Sequence, residues 1–237
     1  MTKYIRFNGV IVGGFPSSGS TLLATMLNSH PDVICGPETT LFCHPKLWSN
    51  WFCGKGKFGD IIFNQKIKDR ATINFAIPHK PFLDFYNLDE KQVRNYLSES
   101  FNGYNFFQKI YQHSLDKKNK KLCIDKTPQN LYAVDSFLRS NRFARAIVIK
   151  RDPRAVLASL INRKISFKTA VANIALEINI INSLMKDNTL SKRILFVDYE
   201  NLIINPKKVC LEICKFLKIN EKYVECMIER KNRSEEH

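Results

Sequence analysis

Between Gly14 and Gly19 the sequence reads "GFPSSG", and Ser20 and Thr21 follow. The two glycines stand at the spacing of a phosphate-cradling loop, G-x-x-x-x-G, in which a lysine and then a serine or threonine normally come next. Here the lysine is missing. A turn that runs into a helix N-terminus can still hold an anion through backbone N–H groups and the helix dipole. Ser18, Ser20 and Thr21 add hydroxyl donors, so residues 17 to 21 form an anion cradle whose positive charge must come from elsewhere. Two later segments can supply it. Lys126 opens "KTP" directly after the apolar run "KLCID". Arg151 opens "RDPRAVLAS" after "AIVIK", and Ser159 lies about two turns into the helix that follows. A guanidinium offers a phosphate planar, forked hydrogen bonds that an ammonium does not. Two anion sites at successive strand ends describe a nucleotide with phosphates in two separate places.

The elements around these residues alternate. "NGVIVGG" reads as a buried strand, and Ser18 is predicted to cap a helix that turns Leu22, Leu23, Met26 and Leu27 to one side. Pro31 ends that helix, and a short strand over Val33 to Cys35 follows. From Glu38 to about Lys120 the sequence is helical and aromatic, with "DEKQVRNYLSESF" and "YNFFQKIYQHSL" the clearest helices. A strand from Lys121, a helix over Asn130 to Arg139 and the strand "ARAIVIK" come next. A helix then opens at Pro153 with Asp152 as its cap. Long helical text from about Ser166 to Lys186 precedes the strand "RILFVD", and helices opening near Pro206 and Asn220 close the chain. Short apolar strands alternating with helices predict an α/β fold, three layers α/β/α around a central parallel sheet. Ligands sit at the carboxyl ends of such strands, where the motifs fall.

Composition narrows the partners. The 237 residues carry 37 Lys and Arg against 22 Asp and Glu, a net charge of +15 that favours anionic ligands. No nucleic-acid module appears, and the aromatics are not interleaved with basic residues as a stacking platform, so nucleic acid is not expected. Seven cysteines form no regular frame. Cys210 and Cys214 belong to an apolar helical stretch, and Cys43, His44 and Cys53 lack the second close pair of a zinc site, so no metal is expected. Reduced thiols point to a cytoplasmic protein. The early charges and "VIV" fit a first strand better than a leader, and no run approaches the length of a membrane span. A single domain over 1–237 is expected, with a helical insertion at about 40–120 shaping an acceptor pocket.

Taken together, "GGFPSSGSTLLATMLNSHPDVICGPET", "DKTP", "RDPRAVLASLINRK" and "VDYENLIINP" resemble the sulfotransferases that use 3′-phosphoadenosine-5′-phosphosulfate, and the tyrosylprotein branch with its bacterial relatives looks closest. The resemblance runs from about residue 9 to 217. It implies a P-loop-like nucleotide-binding fold and no metal. Residues 17 to 21 (Ser17, Ser18, Gly19, Ser20 and Thr21) would surround the 5′-phosphosulfate, while Arg151 and Ser159 would meet the 3′-phosphate. Arg163 and Tyr199 align with further cofactor contacts. Glu38 falls where that branch places its catalytic base, and Lys126 where a lysine bridges cofactor and transferred group. The implied acceptor bears a hydroxyl, whether on an acidic peptide, a glycan or a small molecule, and a homodimer is left open. Relatives usually carry arginine where this chain has Ser17 and Thr40. They also continue past "RKNRSEEH" into a loop over the 3′-phosphate, so Lys231, Asn232, Arg233 and Ser234 should either form a short version or omit that contact.

Three alternatives compete. A small-molecule kinase would use Asp125 to hold magnesium. A non-catalytic protein would use the net charge alone. A degenerate relative would bind the nucleotide without transfer. His44 is the second candidate for the base, and His30, ahead of Pro31, reads as structural.

Overall fold

The computed structural model describes residues 9–39, 42 and 79–234. Thr40, Cys43, His44 and Cys53, named above, lie outside them. Five strands run parallel: β1 (Val10–Gly14), β2 (Val33–Cys35), β3 (Leu122–Lys126), β4 (Arg145–Lys150) and β5 (Ile194–Asp198), in the order β2-β3-β1-β4-β5. Among the described residues the helices are α1 (Ser20–Asn28), α2 (His79–Tyr86), α3 (Glu90–Glu99), α4 (Gly103–Lys118), α5 (Val134–Ser140), α6 (Pro153–Asn162) and α7 (Phe167–Lys186). After β5 come α8 (Tyr199–Ile204), α9 (Pro206–Leu217) and α10 (Val224–Ser234).

The period-two alternation of the strands separates two cores. Ile11, Ile34, Cys123, Ala146 and Val148 face one way and pack with Phe106, Phe107, Ile110, Phe137, Val156 and Ile174 from α4, α5, α6 and α7. Val10, Val12, Val33, Ile124, Ile147 and Ile149 face the other way, against Leu23, Met26 and Leu27 of α1 and against α9 and α10. A strand buried on both faces reads as an unbroken apolar run, which is why "VIV" and "AIVIK" carry no polar alternation. Three layers result. Each fully buried Leu, Ile or Phe contributes roughly 1.5–3 kcal/mol of transfer free energy.

Several local expectations needed correction. Ser18 is not the cap of α1: the cap position belongs to Gly19, in a left-handed conformation (φ 86°), and no side chain bonds the first-turn N–H groups. The helix expected over Asn130 to Arg139 is a 3-10 turn over Pro128–Ala133 continued by α5. The turn tightens because Asn130 is pulled onto the sheet, donating to the carbonyls of Val12 and Asp125 at 3.2 Å. It lies so close over β1 that a side chain at Gly13 would meet the Leu131 nitrogen at 2.4 Å. The helix α8, which the sequence did not announce, is a single short element between β5 and Pro206. Lys231 to Ser234 do not form a closing loop but continue α10.

His30 is structural as expected: fully buried, its Nε2 donates to the Asn220 carbonyl and its Nδ1 accepts from the Asp32 N–H. Cys210 and Cys214 are core residues of α9. Among the described residues no helix is long and apolar enough to cross a membrane.

Where α7 meets the 3-10 turn, Glu177 is only 2% exposed. Tyr132 Oη donates to its Oε1 at 2.9 Å, and its Oε2 is buried without a partner among the described residues. Burial pushes this carboxyl up to about 7. An acid whose folded value is raised binds more protons folded than unfolded, so stability falls as pH rises between about 4.5 and 7. Glu177→Gln should therefore raise the unfolding free energy at pH 8 by about 1 kcal/mol and give no gain near pH 4, measured by urea unfolding at both values.

Candidate functional site

The sheet order dictates where a ligand can sit. The chain leaves β1 toward β3 and β2 but leaves β4 toward β5, so the connections after these adjacent strands diverge and open a crevice at their carboxyl ends. The turn Phe15–Gly19 lies on one side of it and Arg151 on the other.

The turn closes with the Ser18 N–H donating to the Phe15 carbonyl at 3.1 Å, and Ser17 takes a positive φ of 64°. With Gly19 at the cap and no side chain bonded there, the first-turn N–H groups of α1 stay available to an external acceptor. The dipole of α1 adds partial positive charge at the same spot.

Three cationic or aromatic groups converge on this turn from far along the chain. Arg151 Nη1 donates to the Ser17 carbonyl at 2.7 Å, and Arg163 Nη1 donates to Ser17 Oγ at 3.2 Å. The Arg151 guanidinium carbon sits 4.5 Å from the centroid of the Tyr199 ring. That ring covers Gly19 so closely that a Cβ there would fall 2.2 Å from it. The ends of β4 and β5 are tied together by Lys150 to Asp198 at 3.1 Å and by the Asp152 N–H to Glu200 Oε1 at 3.0 Å, which holds Tyr199 beside Arg151. Ser159 stands one turn before Arg163 on α6 and half-buried, with no hydrogen bond from its hydroxyl to the turn.

On the other side of β1, Lys126 ends β3 with its side chain 7% exposed, and its Nζ donates to Glu38 Oε1 at 2.6 Å. Glu38 lies three residues past β2, and its side chain is 35% exposed. Lys126 and Thr21 line one cavity of about 590 Å³, with Gly36 and Pro37 beside them and Glu229 of α10 at its far wall. The sequence-derived candidates thus form two groups around the turn. Arg151, Arg163 and Tyr199 lie toward β4 and β5, and Lys126 with Glu38 toward β3 and β2.

Asp125, the magnesium ligand of the competing kinase alternative, has its partners inside the protein. It is fully buried; Thr39 Oγ1 donates to its Oδ1 at 2.8 Å and Asn130 Nδ2 to its Oδ2 at 2.9 Å. Both oxygens are engaged inside the protein, so the carboxylate is not presented to a metal in the crevice. Thr39 and Asn130 were missed as site residues. Nothing in "ETT" or "KTPQN" announces a bond to a residue 86 positions away.

Among the described residues, two buried donors at the turn are left without an acceptor. Ser18 Oγ and Arg151 Nε are buried and have no hydrogen-bond partner among the described residues, and both belong to the turn and the guanidinium drawn onto it. Buried donors without acceptors cost roughly 1–3 kcal/mol each, which phosphate oxygens in the crevice would offset.

A model of the Sulfotransferase family matches residues 9–222 of this chain, and the chain belongs to that family. It is 26% identical over 224 residues to protein-tyrosine sulfotransferase 1 of Danio rerio, covering 89% of this chain and 53% of that protein. Against the protein-tyrosine sulfotransferase of Drosophila melanogaster the identity is 25%, over 89% of this chain and 38% of the relative. The chain thus spans about half the length of these relatives or less. Among solved structures, the sulfotransferase domain of the Synechococcus PCC 7002 olefin synthase shares the fold with a TM-score of 0.67 at 22% identity, covering 94% of this chain and 77% of that one. The sulfotransferase domain of the curacin biosynthetic pathway follows at 0.56 and 19%, covering 91% and 75%. The expected fold class and family are both met.

The Gly19–Tyr199 contact is open to test. Gly19→Ala adds a methyl against the ring and strains a positive φ, and should cost about 2 kcal/mol or more in urea unfolding. In a Tyr199→Ala background the same substitution should cost only the backbone strain, about 1 kcal/mol, and the double-mutant cycle measures the difference.

Proposed function

We propose that this member of the sulfotransferase family transfers a sulfuryl group from 3′-phosphoadenosine-5′-phosphosulfate to a hydroxyl acceptor, with Glu38 as general base and Lys126 as the cation at the leaving oxygen. The observation that carries the reading is the 2.6 Å Lys126–Glu38 pair beside an uncapped helix N-terminus, with Thr21 and Lys126 facing one cavity. The donor supplies an activated sulfuryl group on a phosphate leaving group.

The N–H groups of residues 19 to 21 and the hydroxyls of Ser18, Ser20 and Thr21 would hold the 5′-phosphosulfate. Arg151 and Arg163, reaching the same turn from the end of β4 and the end of α6, would hold the 3′-phosphate with Ser159. Tyr199 would form a wall of the nucleotide site. The sheet order supports this division, since the 3′-phosphate group of residues lies on the β4 side of β1 and the base on the β2 side.

An acceptor hydroxyl is a weak nucleophile. Glu38, whose side chain is about one-third exposed, would take its proton as the new S–O bond forms. The bond from sulfur to the bridging phosphate oxygen breaks, and its electron pair stays on that oxygen. Lys126 Nζ has three N–H donors, one of which is on Glu38, so it can meet the developing charge without leaving the strand end. The turn amides share that charge.

Competition from a kinase reading is weakened by Asp125, whose oxygens are taken by Thr39 and Asn130. Adenosine 3′,5′-bisphosphate should raise the melting temperature in EDTA, whereas ATP with magnesium should do so weakly or not at all. Arg151→Lys should weaken bisphosphate binding about tenfold or more, because the fork is lost while the charge remains. Glu38→Gln should cut transfer of labelled sulfate by about 10²–10⁴ and leave bisphosphate affinity within about twofold. Transfer at the parental rate would remove Glu38 from the mechanism.

A further inference from the structure

Glu38 sits on a connection, and connections are placed by what fastens them. Two residues separate it from the end of β2, and its own bond to Lys126 is made by a flexible side chain. The next residue, Thr39, is fully buried, and its hydroxyl donates to Asp125 Oδ1 at 2.8 Å. Asp125 is the neighbour of Lys126 on β3. Its second oxygen accepts from Asn130 Nδ2 at 2.9 Å, and the same amide donates to the Val12 and Asp125 carbonyls. One carboxylate therefore touches the segment that carries the base, the strand that carries the lysine, and the turn that covers β1.

We propose that Asp125 is a positioning residue for the transfer, its carboxylate fastening the Glu38 segment to the strand of Lys126. The proposal rests on the assignment of Glu38 and Lys126 above. Asp125 itself touches neither donor nor acceptor.

A neutral partner would do this less well. A hydrogen bond to a carboxylate is about twice as strong as one between neutral groups. A buried carboxylate also carries a desolvation cost, which an apolar or amide residue would avoid. The groups that face it are Thr39 from the β2 connection, Asn130 from the 3-10 turn, Cys35 from β2, Cys123 and Lys126 from β3, Tyr86 from α2 and Tyr111 from α4. Burial pushes up both thiols and both phenols, so these four stay neutral through the ordinary pH range. Lys126 is the remaining charged neighbour. Burial raises Asp125 to about 6, while the bonds from Asn130 and Thr39 pull it down. Above that value Oδ1 and Oδ2 both accept; below it one of them carries a proton and the tether to Thr39 weakens.

The test pairs turnover with a measurement that needs none. For the wild-type chain, kcat for labelled-sulfate transfer should fall severalfold from pH 7.5 to pH 5 with an apparent pKa near 6, while KM for the donor stays within about twofold. Asp125→Asn should lower kcat at pH 7.5 about tenfold, spare the donor KM and abolish the limb near 6. Thr39→Val should behave like it, and Thr39→Ser, which keeps the hydroxyl, should restore wild-type kcat and the limb. Amide hydrogen exchange at pH 7.5 should be faster by about tenfold over residues 36–39 in Asp125→Asn and Thr39→Val and unchanged in Thr39→Ser. A limb near 6 that survives in Asp125→Asn, or exchange at 36–39 that does not respond, overturns the proposal. Should the wild-type chain transfer no sulfate while the exchange result holds, the tether stands and the sulfotransferase reading falls. Thr39→Val and Thr39→Ser decide the matter where Asp125→Asn does not fold.

Discussion

The turn after β1 has no cation of its own, and that deficit organises the rest of the site. A helix N-terminus supplies partial charge over a single turn, enough for one anionic group but not for the two separate phosphates of the proposed donor. Full charges therefore arrive from elsewhere in the chain. Arg151 and Arg163 reach Ser17 across 134 and 146 residues, and Lys126 stands at the end of the strand on the opposite side of β1. Only a parallel sheet, in which all the carboxyl ends lie along one edge, brings such distant residues together without long loops. Fold and electrostatics are the same constraint here.

The order β2-β3-β1-β4-β5 also separates tasks. Guanidinium groups, suited to forked recognition of phosphate, lie on the β4 and β5 side, where the Tyr199 ring closes over Gly19. The ammonium and the carboxylate lie on the β3 and β2 side. An acid near the guanidinium groups would compete with a phosphate for them; Asp152 is instead occupied by Arg154 at 2.6 Å, and Asp198 by Lys150. On the lysine side the partly exposed Glu38 is held by Lys126 itself.

Much of this was legible in the sequence because it depends on local features. "VIV" and "AIVIK" had to be buried strands, Asp152–Pro153 had to open a helix, and the residues after those strands had to lie along one edge. What was not legible depends on contacts between distant segments. Ser18 looked like a cap because serine usually is one, yet the left-handed backbone at Gly19 moves the cap by one residue and leaves the Ser18 hydroxyl buried. The 3-10 turn at Pro128–Ala133 follows from Asn130 reaching the Val12 carbonyl, a bond across 118 residues. Asp125 at a strand end had the look of a metal ligand, and only the partners at Thr39 and Asn130 reveal that its oxygens are spent.

That last point bears on what chemistry the site can support. A lysine-bearing loop and a free strand-end carboxylate together hold a magnesium-bound triphosphate, whose transferred group spreads considerable charge over its oxygens. Here the loop has no lysine, and both oxygens of the strand-end carboxylate of Asp125 are bonded inside the protein, to Thr39 and Asn130. The partly exposed carboxylate of Glu38 is paired with an ammonium at 2.6 Å, a pairing suited to moving one proton and meeting one developing charge. A sulfuryl group has one fewer ionisable oxygen than a phosphoryl group, so its transfer asks for less neutralisation at the reacting centre. Under the proposed transfer, the lysine-free loop and the inward-facing Asp125 both match the smaller charge that has to be held.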